Sequence, residues 1–468
     1  MRSGVVAAGV VPARNVAAPV VAAGMVRTGS DMAVTRARPA MASHDGHSEE
    51  AGAAEGQRED VGVEHEWDGL KLNRRPRWRR LRADLRLAPG PCPRIPLLYR
   101  LFFGVTRTGT YLRLERLVAR GFRNLAELEC DLPAAGLAIL GSNGQGKTNL
   151  LEAFYYPVLF RSLRGSPDQE VTCFGGLGFH VEAQVRGSSG KATIAATYTA
   201  AGRKKRIAVQ GEEIPRLADA IGHWLAVAFL PADVGLAAGP AAERRRFLDR
   251  LLALSDHRYY TALARYRAAP AQRNAALRTD QPDLARAFDR VLAESGAVVV
   301  ASRLRWVERA GERFAAELNE LGESQPVCLR YHGRAELADS AAWPAALEAA
   351  AGRDQARRAS TVGPHRDDLV LELGGRSLRS VGSTGQQRTA AVALKLLELD
   401  TLADARGTKP ALLLDDVFAE LDVERQGRFA RRLGRTPVPQ VFITAPRADE
   451  LPEGLELERW RVEDGRVG

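Results

Sequence analysis

The stretch Gly141-Ser142-Asn143-Gly144-Gln145-Gly146-Lys147-Thr148 matches G-x-x-x-x-G-K-[ST] at every position and follows the apolar run Leu137-Ala138-Ile139-Leu140. A buried strand entering a glycine-rich turn that opens a helix is the context of a P-loop. The glycines let successive backbone N–H groups face an anion, Lys147 reaches the outer phosphates, and the Thr148 hydroxyl can ligate Mg²⁺. Downstream, Leu150, Leu151, Phe154 and Val158 recur at near-helical spacing, so the phosphates are expected on a helix N-terminus. This much implies a nucleoside triphosphate and no more.

Composition sets the bounds. The chain has 468 residues, room for two or three domains, with 45% apolar and 26% charged residues, ordinary values for a soluble globular protein. No apolar run approaches the ~18 residues of a spanning helix. Cys92, Cys130, Cys173 and Cys328 lie far apart without a C-x-x-C pair, which argues against zinc and disulfide frameworks and for a reducing cytoplasm. Net charge is +10, yet residues 1–110 hold 17 Lys and Arg against 11 Asp and Glu, leaving only +4 on the remaining 358 residues. Net charge alone therefore says little about nucleic acid.

Residues 1–109 are rich in Ala, Gly, Pro and Arg, and read as a largely disordered extension or as a start placed too far upstream. From Tyr111 the pattern changes. A strand over 112–117, the turn Gly121-Phe122-Arg123-Asn124, and three strand-like runs at 179–185, 192–198 and 206–209 predict a nucleotide-binding core with an antiparallel meander over 111–230. Residues 231–355 predict a helical second lobe, with helices over 243–254, 258–268 and 284–321 and breaks at Pro270 and Pro282. Heptads are not sustained, so no long coiled coil is expected. Residues 356–468 return to the core.

Two further motifs carry chemistry. Ala411-Leu412-Leu413-Leu414 ends in Asp415-Asp416, a Walker B arrangement that places Asp415 to hold Mg²⁺ and Asp416 to orient an attacking water. Ser383-Thr384-Gly385-Gln386 opens a largely apolar helix and is similar to the S-x-G-Q signature of ABC-type ATPases. Standing alone, it reads better as a plain helix cap, and its position before the Asp415 strand is what favours the signature.

Taken in order, Gly121-Phe122-Arg123-Asn124, the P-loop with Asn149, Glu243-Arg244-Arg245-Arg246-Phe247-Leu248-Asp249, Gln272-Arg273-Asn274, Gly363-Pro364-His365-Arg366-Asp367-Asp368, Gly385-Gln386-Gln387-Arg388 and Leu414-Asp415-Asp416-Val417-Phe418-Ala419-Glu420-Leu421-Asp422 resemble the RecF family. These are bacterial recombination-mediator ATPases related to SMC and Rad50 heads. The resemblance covers Tyr111 to about Ala445. It implies an α/β ABC-type P-loop ATPase head, a mixed sheet with an antiparallel β subdomain, plus the helical lobe. It also implies ATP and Mg²⁺ as cofactors, an ATP-dependent homodimer, and DNA gaps or single-strand/double-strand junctions as partners. RecO, RecR and RecA would be protein partners.

Residue by residue, the resemblance gives Lys147 and Thr148 the Walker A roles, within a nucleotide site of Gly141, Ser142, Asn143, Gly144, Gln145, Gly146 and Asn149. Asp415 takes the Mg²⁺ role and Asp416 the hydrolytic position. Ser383, Gly385 and Gln386 act on the partner's nucleotide, Glu420-Leu421-Asp422 form the D-loop, and Arg123 contacts the nucleotide. Ala419 stands where the family usually has Ser, and Thr444 lies where transporter ATPases carry a switch histidine. Asp416 is one methylene shorter than the glutamate of fast hydrolases, so turnover is expected to be slow.

Candidate DNA contacts are Arg203, Lys204, Lys205 and Arg206 on the meander and Arg244, Arg245 and Arg246 on the second lobe, with at least one of the latter three expected to pair internally. The runner-up, an SMC- or Rad50-type structural ATPase head, lacks its coiled-coil arms. A transporter ATPase lacks its histidine, and a small-molecule phosphotransferase leaves the signature unexplained. The run Gly363–Asp368 reads equally as a fold-stabilising turn or as a ligand contact.

Overall fold

Four short runs, Gly136–Leu140, Ala226–Phe229, Ala411–Asp415 and Val441–Ala445, are apolar at nearly every position, as strands covered on both faces must be. In the computed structural model they lie side by side and parallel. The structure describes residues 111–468 apart from 189, 436, 437 and 452–454. The expected extension over 1–109 lies outside the described residues.

In chain order, β1 (Leu112–Arg120), β2 (Leu128–Asp131) and β3 (Gly136–Leu140) lead into helix α1 (Lys147–Leu159). Strands β4 (Gly178–Gly187), β5 (Gly190–Thr199), β6 (Lys204–Val209), β7 (Glu212–Glu213) and β8 (Ala226–Phe229) follow. The long helices α2 (Ala241–Ser255), α3 (His257–Arg278) and α4 (Asp289–Glu320) come next, then β9 (Val327–His332), β10 (Asp368–Leu373) and β11 (Arg376–Ser377). Helix α5 (Thr384–Arg406), β12 (Ala411–Asp415), α6 (Val423–Arg435), β13 (Val441–Ala445), β14 (Glu458–Glu463) and β15 (Arg466–Val467) complete the chain.

The central sheet runs β15-β14-β3-β13-β12-β8, parallel from β14 to β8. Strand β13 therefore sits between the P-loop strand and the strand ending in Asp415, with Thr444 in register with both Asp415 and Ile139. A second sheet, β2-β1-β4-β5-β6-β7, is antiparallel throughout and is the expected meander. In β4 buried and part-exposed residues alternate, so one face is covered and the other meets solvent. Its covered face meets α1 through Phe122, Tyr156, Phe179 and Tyr198, whose rings lie 5.2–5.7 Å apart in edge and stacked pairs. The fold class expected from the sequence is thus observed.

Three details differ from expectation. Pro270 does not end a helix, because α3 runs through it to Arg278. The one lost backbone bond is offset by burial of the ring and of Ala269 and Arg273 around it. Strand β9 lies inside the stretch read as helical and pairs with β10 along six residues. Val441-Phe442-Ile443-Thr444 reads from the sequence as the last buried strand, yet the sheet does not end there at β13: β14 adds beside β3, and the hairpin turn it makes with β15 reaches the P-loop. Helix α4, 32 residues and so about 48 Å long, packs against both α3 and α5 instead of leaving the body as an arm.

Candidate nucleotide site

The P-loop is held from three sides. Gly141 leaves β3 where a Cβ would stand 2.4 Å from the Val462 carbonyl oxygen, and Gly146, at φ +113°, backs onto the Asn124 side chain. From below, the β14–β15 turn donates its Gly465 N–H to Gln145 O (2.9 Å) and its Asp464 N–H to Gln145 Oε1 (2.6 Å). The Lys147 side chain is buried and its ammonium donates to Gly141 O at 2.8 Å and Ser142 O at 3.4 Å, which sets it over the mouth of the loop. Helix α1 begins at Lys147 with no side-chain cap and no acid in its first turn. Its free N–H groups and partial positive charge suit a phosphate.

Opposite the loop, Thr148 Oγ1 lies 2.9 and 3.1 Å from the two carboxylate oxygens of Asp415. Thr444 links the two aspartates: its hydroxyl lies 2.9 Å from Asp415 Oδ1 and 3.2 Å from Asp416 Oδ1, and accepts the Asp416 N–H at 3.0 Å. Burial pushes the Asp415 carboxyl above the ordinary aspartate value, and the hydroxyls of Thr444 and Thr148 pull the other way. Asp416 has φ +47°, a left-handed conformation that Asp tolerates better than most residues, and it turns the chain sharply out of β12. One hydroxyl and one carboxylate are hard oxygen donors of the kind Mg²⁺ takes when phosphates and water complete its shell. Among the described residues no larger cluster of metal-ligating side chains exists.

Beside the loop opens a cleft of about 950 Å³, bordered by Arg123, Asn124, Asn149, Arg164, Phe174 and Asp464 among others. Its polar wall is built on Glu152, a fully buried carboxylate on α1. Arg123 donates to both Glu152 oxygens at 2.9 and 3.2 Å and to Glu170 O at 2.9 Å, while Arg164 donates to Glu152 and to Asn149 Oδ1. Burial alone would raise the Glu152 carboxyl, but hydrogen bonds from Arg123, Ser162 and Arg164 outweigh it and hold it below the ordinary range. Arg123 borders the cleft with its guanidinium engaged by Glu152, and Arg164, 38% exposed, is the more open of the two. Arg164 escaped the sequence reading. Its signal was Glu152 itself, an acid within the apolar run Leu150-Leu151-Glu152-Ala153-Phe154 that must find cations when buried.

The signature residues close on each other. Ser383 and Gln386 form a capping box at the start of α5, with Gln386 N–H to Ser383 Oγ at 3.3 Å and Ser383 N–H to Gln386 Oε1 at 2.9 Å. Ser383 and Thr384 face solvent. A Cβ on Gly385 would stand 2.7 Å from an Arg425 guanidinium nitrogen, and Arg425 is paired with Asp422 at 2.8 Å. Signature and D-loop thus share one outward surface.

Several of the expected DNA contacts are corrected. Arg244 is buried, donates to both Asp368 oxygens at 2.8 Å and to Gly239 O at 2.8 Å, and has nothing left for DNA. Arg245 donates to Asp367 O, while Arg246 is exposed. Lys205 points to the covered face of the meander, where it pairs with Asp168 and donates to Phe160 O. Arg203, Lys204 and Arg206 remain exposed, as strand alternation requires of Lys204 and Arg206. The run Gly363–Asp368 is an internal clamp: Asp368 takes Arg244, Pro364 O accepts from Arg303, and His365 bonds Tyr266 and Ser360 O.

No protein-family model matches the chain. The DNA replication and repair protein RecF of Salinibacter ruber is 35% identical over 361 residues, covering 74% of this chain and 87% of the relative. Two solved structures of the recombination mediator protein RecF in the RecFOR pathway superpose on it. One, with ATPrS, has a TM-score of 0.70 at 30% identity, and the other, with ATP, 0.71 at 29%; they cover 77% and 78% of this chain and 99% of their own. With this identity over 87% of the relative, and with the P-loop and the Asp415 strand end meeting at one end of a parallel sheet, the chain belongs to the RecF family.

Proposed function

We propose that the protein is an ATP-dependent, DNA-binding recombination mediator that dimerises on ATP, binds gapped or junction DNA and promotes RecA loading in repair and replication restart. The observation that carries the reading is the set Thr148–Asp415–Thr444–Asp416, in which the Thr148 hydroxyl joins the P-loop to Asp415 and the Thr444 hydroxyl joins Asp415 to Asp416. When bound, Mg²⁺ neutralises phosphate charge. Thr148 and Asp415 would hold it, Lys147 and the α1 N-terminus bind the phosphates, and Asp416 orients water. Thr444 fixes the two carboxylates relative to each other. Because Asp416 is short and turned by its left-handed backbone, it positions water loosely, and hydrolysis is slow, acting as release.

The outward surface of Ser383, Thr384 and Asp422 supplies no group to its own P-loop among the hydrogen bonds described above, and it suits a second copy's nucleotide. Exposed Arg203, Lys204 and Arg206 remain the DNA candidates on the meander. RecR and RecO are the proposed protein partners, and the cytoplasm is the proposed compartment. No helix among the described residues is long and apolar enough to cross a membrane. Light scattering with and without ATP and gapped DNA tests the reading. ATP should convert monomer to dimer, DNA should favour the dimer, and Lys147→Ala should abolish both responses. A protein that stays monomeric with saturating ATP overturns it.

A further inference from the structure

Phe174 is wholly exposed, at 107% of the reference surface, and its neighbour Leu177 is 83% exposed. Phe174 and Leu177 together form an exposed apolar patch beside a polar-walled cleft, and exposed apolar patches rimmed by polar groups mark ligand-binding grooves. Phe174 borders the cleft beside the P-loop, and that cleft shares Asn124, Asn149 and Asp464 with the loop's own supports. A nucleotide whose phosphates occupy Gly141–Thr148 has only its sugar and base left to place, and at about 950 Å³ the cleft lies within the ordinary size for a small-molecule site.

The segment carrying the ring is fixed at its base and free at its tip. Its base is tied to the opposite wall by Arg123 N–H to Val171 O (2.7 Å) and Cys173 N–H to Gly121 O (2.8 Å). The tip is the turn Cys173–Gly176, closed by Gly176 N–H to Cys173 O at 2.9 Å. Gly175 has φ +74°, and a Cβ on Gly176 would stand 2.5 Å from Cys173 Sγ, so the turn requires glycines that also leave the ring unhindered. We propose that Phe174 is the platform on which the base of the P-loop nucleotide stacks, closing the cleft over it. This rests on the ATP reading given above. Stacking on a ring is indifferent to base identity, so the platform contributes affinity without choosing between adenine and guanine.

Phe174→Ala and Phe174→Trp in the full chain test the assignment by calorimetric titration with Mg²⁺ and ATP, GTP or inorganic tripolyphosphate. Phe174→Ala should weaken ATP and GTP alike by about tenfold and leave tripolyphosphate unchanged. Its thermal midpoint without ligand should stay at the wild-type value, since the ring packs on nothing. Phe174→Trp should gain a fluorescence change with ATP that tripolyphosphate does not elicit and the wild type lacks. Wild-type ATP affinity in Phe174→Ala, or equal loss of ATP and tripolyphosphate, overturns the platform while Lys147→Ala still abolishes binding. Failure of the wild type to bind any nucleotide overturns the ATP reading together with it.

Discussion

Thr444 is the residue whose role is most sharply defined by geometry. A single hydroxyl touches both acidic residues, so Thr444→Val, which keeps shape and removes the bond, should lower ATP hydrolysis about 10- to 100-fold while ATP affinity changes little. Phosphate release at saturating ATP measures it. Glu152 makes a second test. Its carboxyl is held below the ordinary value of 4.5, so its stabilisation is present above that pH and is lost as pH falls through the lower folded value. Wild-type denaturation midpoints should therefore fall on acidification below 4.5, and Glu152→Gln should flatten that limb. At neutral pH the same change should cost about 3–5 kcal/mol, because it removes the anion shared by two guanidinium groups. Thr444 and Glu152 were legible only in part: the sequence places Thr444 near the switch position, but only the register of β12, β13 and β3 shows that it bridges the two aspartates.

Among the elements, β3, β12, β13 and the P-loop helix were legible because apolar runs and glycine spacing are local signals, whereas the four-residue β8 reads only as the point where the chain leaves the core. The β14–β15 hairpin was not, since Glu458-Arg459-Trp460-Arg461 has no apolar run, and its strand character comes from pairing with β3. Its turn should nonetheless matter. Gly465 has φ +73°, and a Cβ there would stand 1.9 Å from Asn124 O, so Gly465→Ala should displace the turn from Gln145. The expected result is weaker ATP binding together with a lower thermal midpoint, checked by titration and calorimetry. The arginines at 244–246 teach a related lesson. A helix sends consecutive side chains in different directions, so a basic triplet supplies a buried clamp at Arg244 and an exposed charge at Arg246 from one sequence signal.

At the scale of the whole molecule, the proposed assembly rests on charge on the meander and on the outward surface around Ser383. Lys204 and Arg206 lie on the exposed face of β6, while Lys205 is paired beneath it. Lys204→Glu with Arg206→Glu should weaken gapped-DNA binding at least tenfold and reduce its salt dependence, whereas Lys205→Gln should act on stability instead. In the proposed function the P-loop is half of a site, and Ser383 with its helix end would serve a second copy. Complementation between two defective variants tests this most directly. Lys147→Ala retains the signature and Ser383→Arg retains the P-loop, so each alone should hydrolyse almost no ATP, while an equimolar mixture should recover hydrolysis through one intact composite site per heterodimer. Full activity of Ser383→Arg alone, or a mixture as inactive as its components, would contradict the shared site.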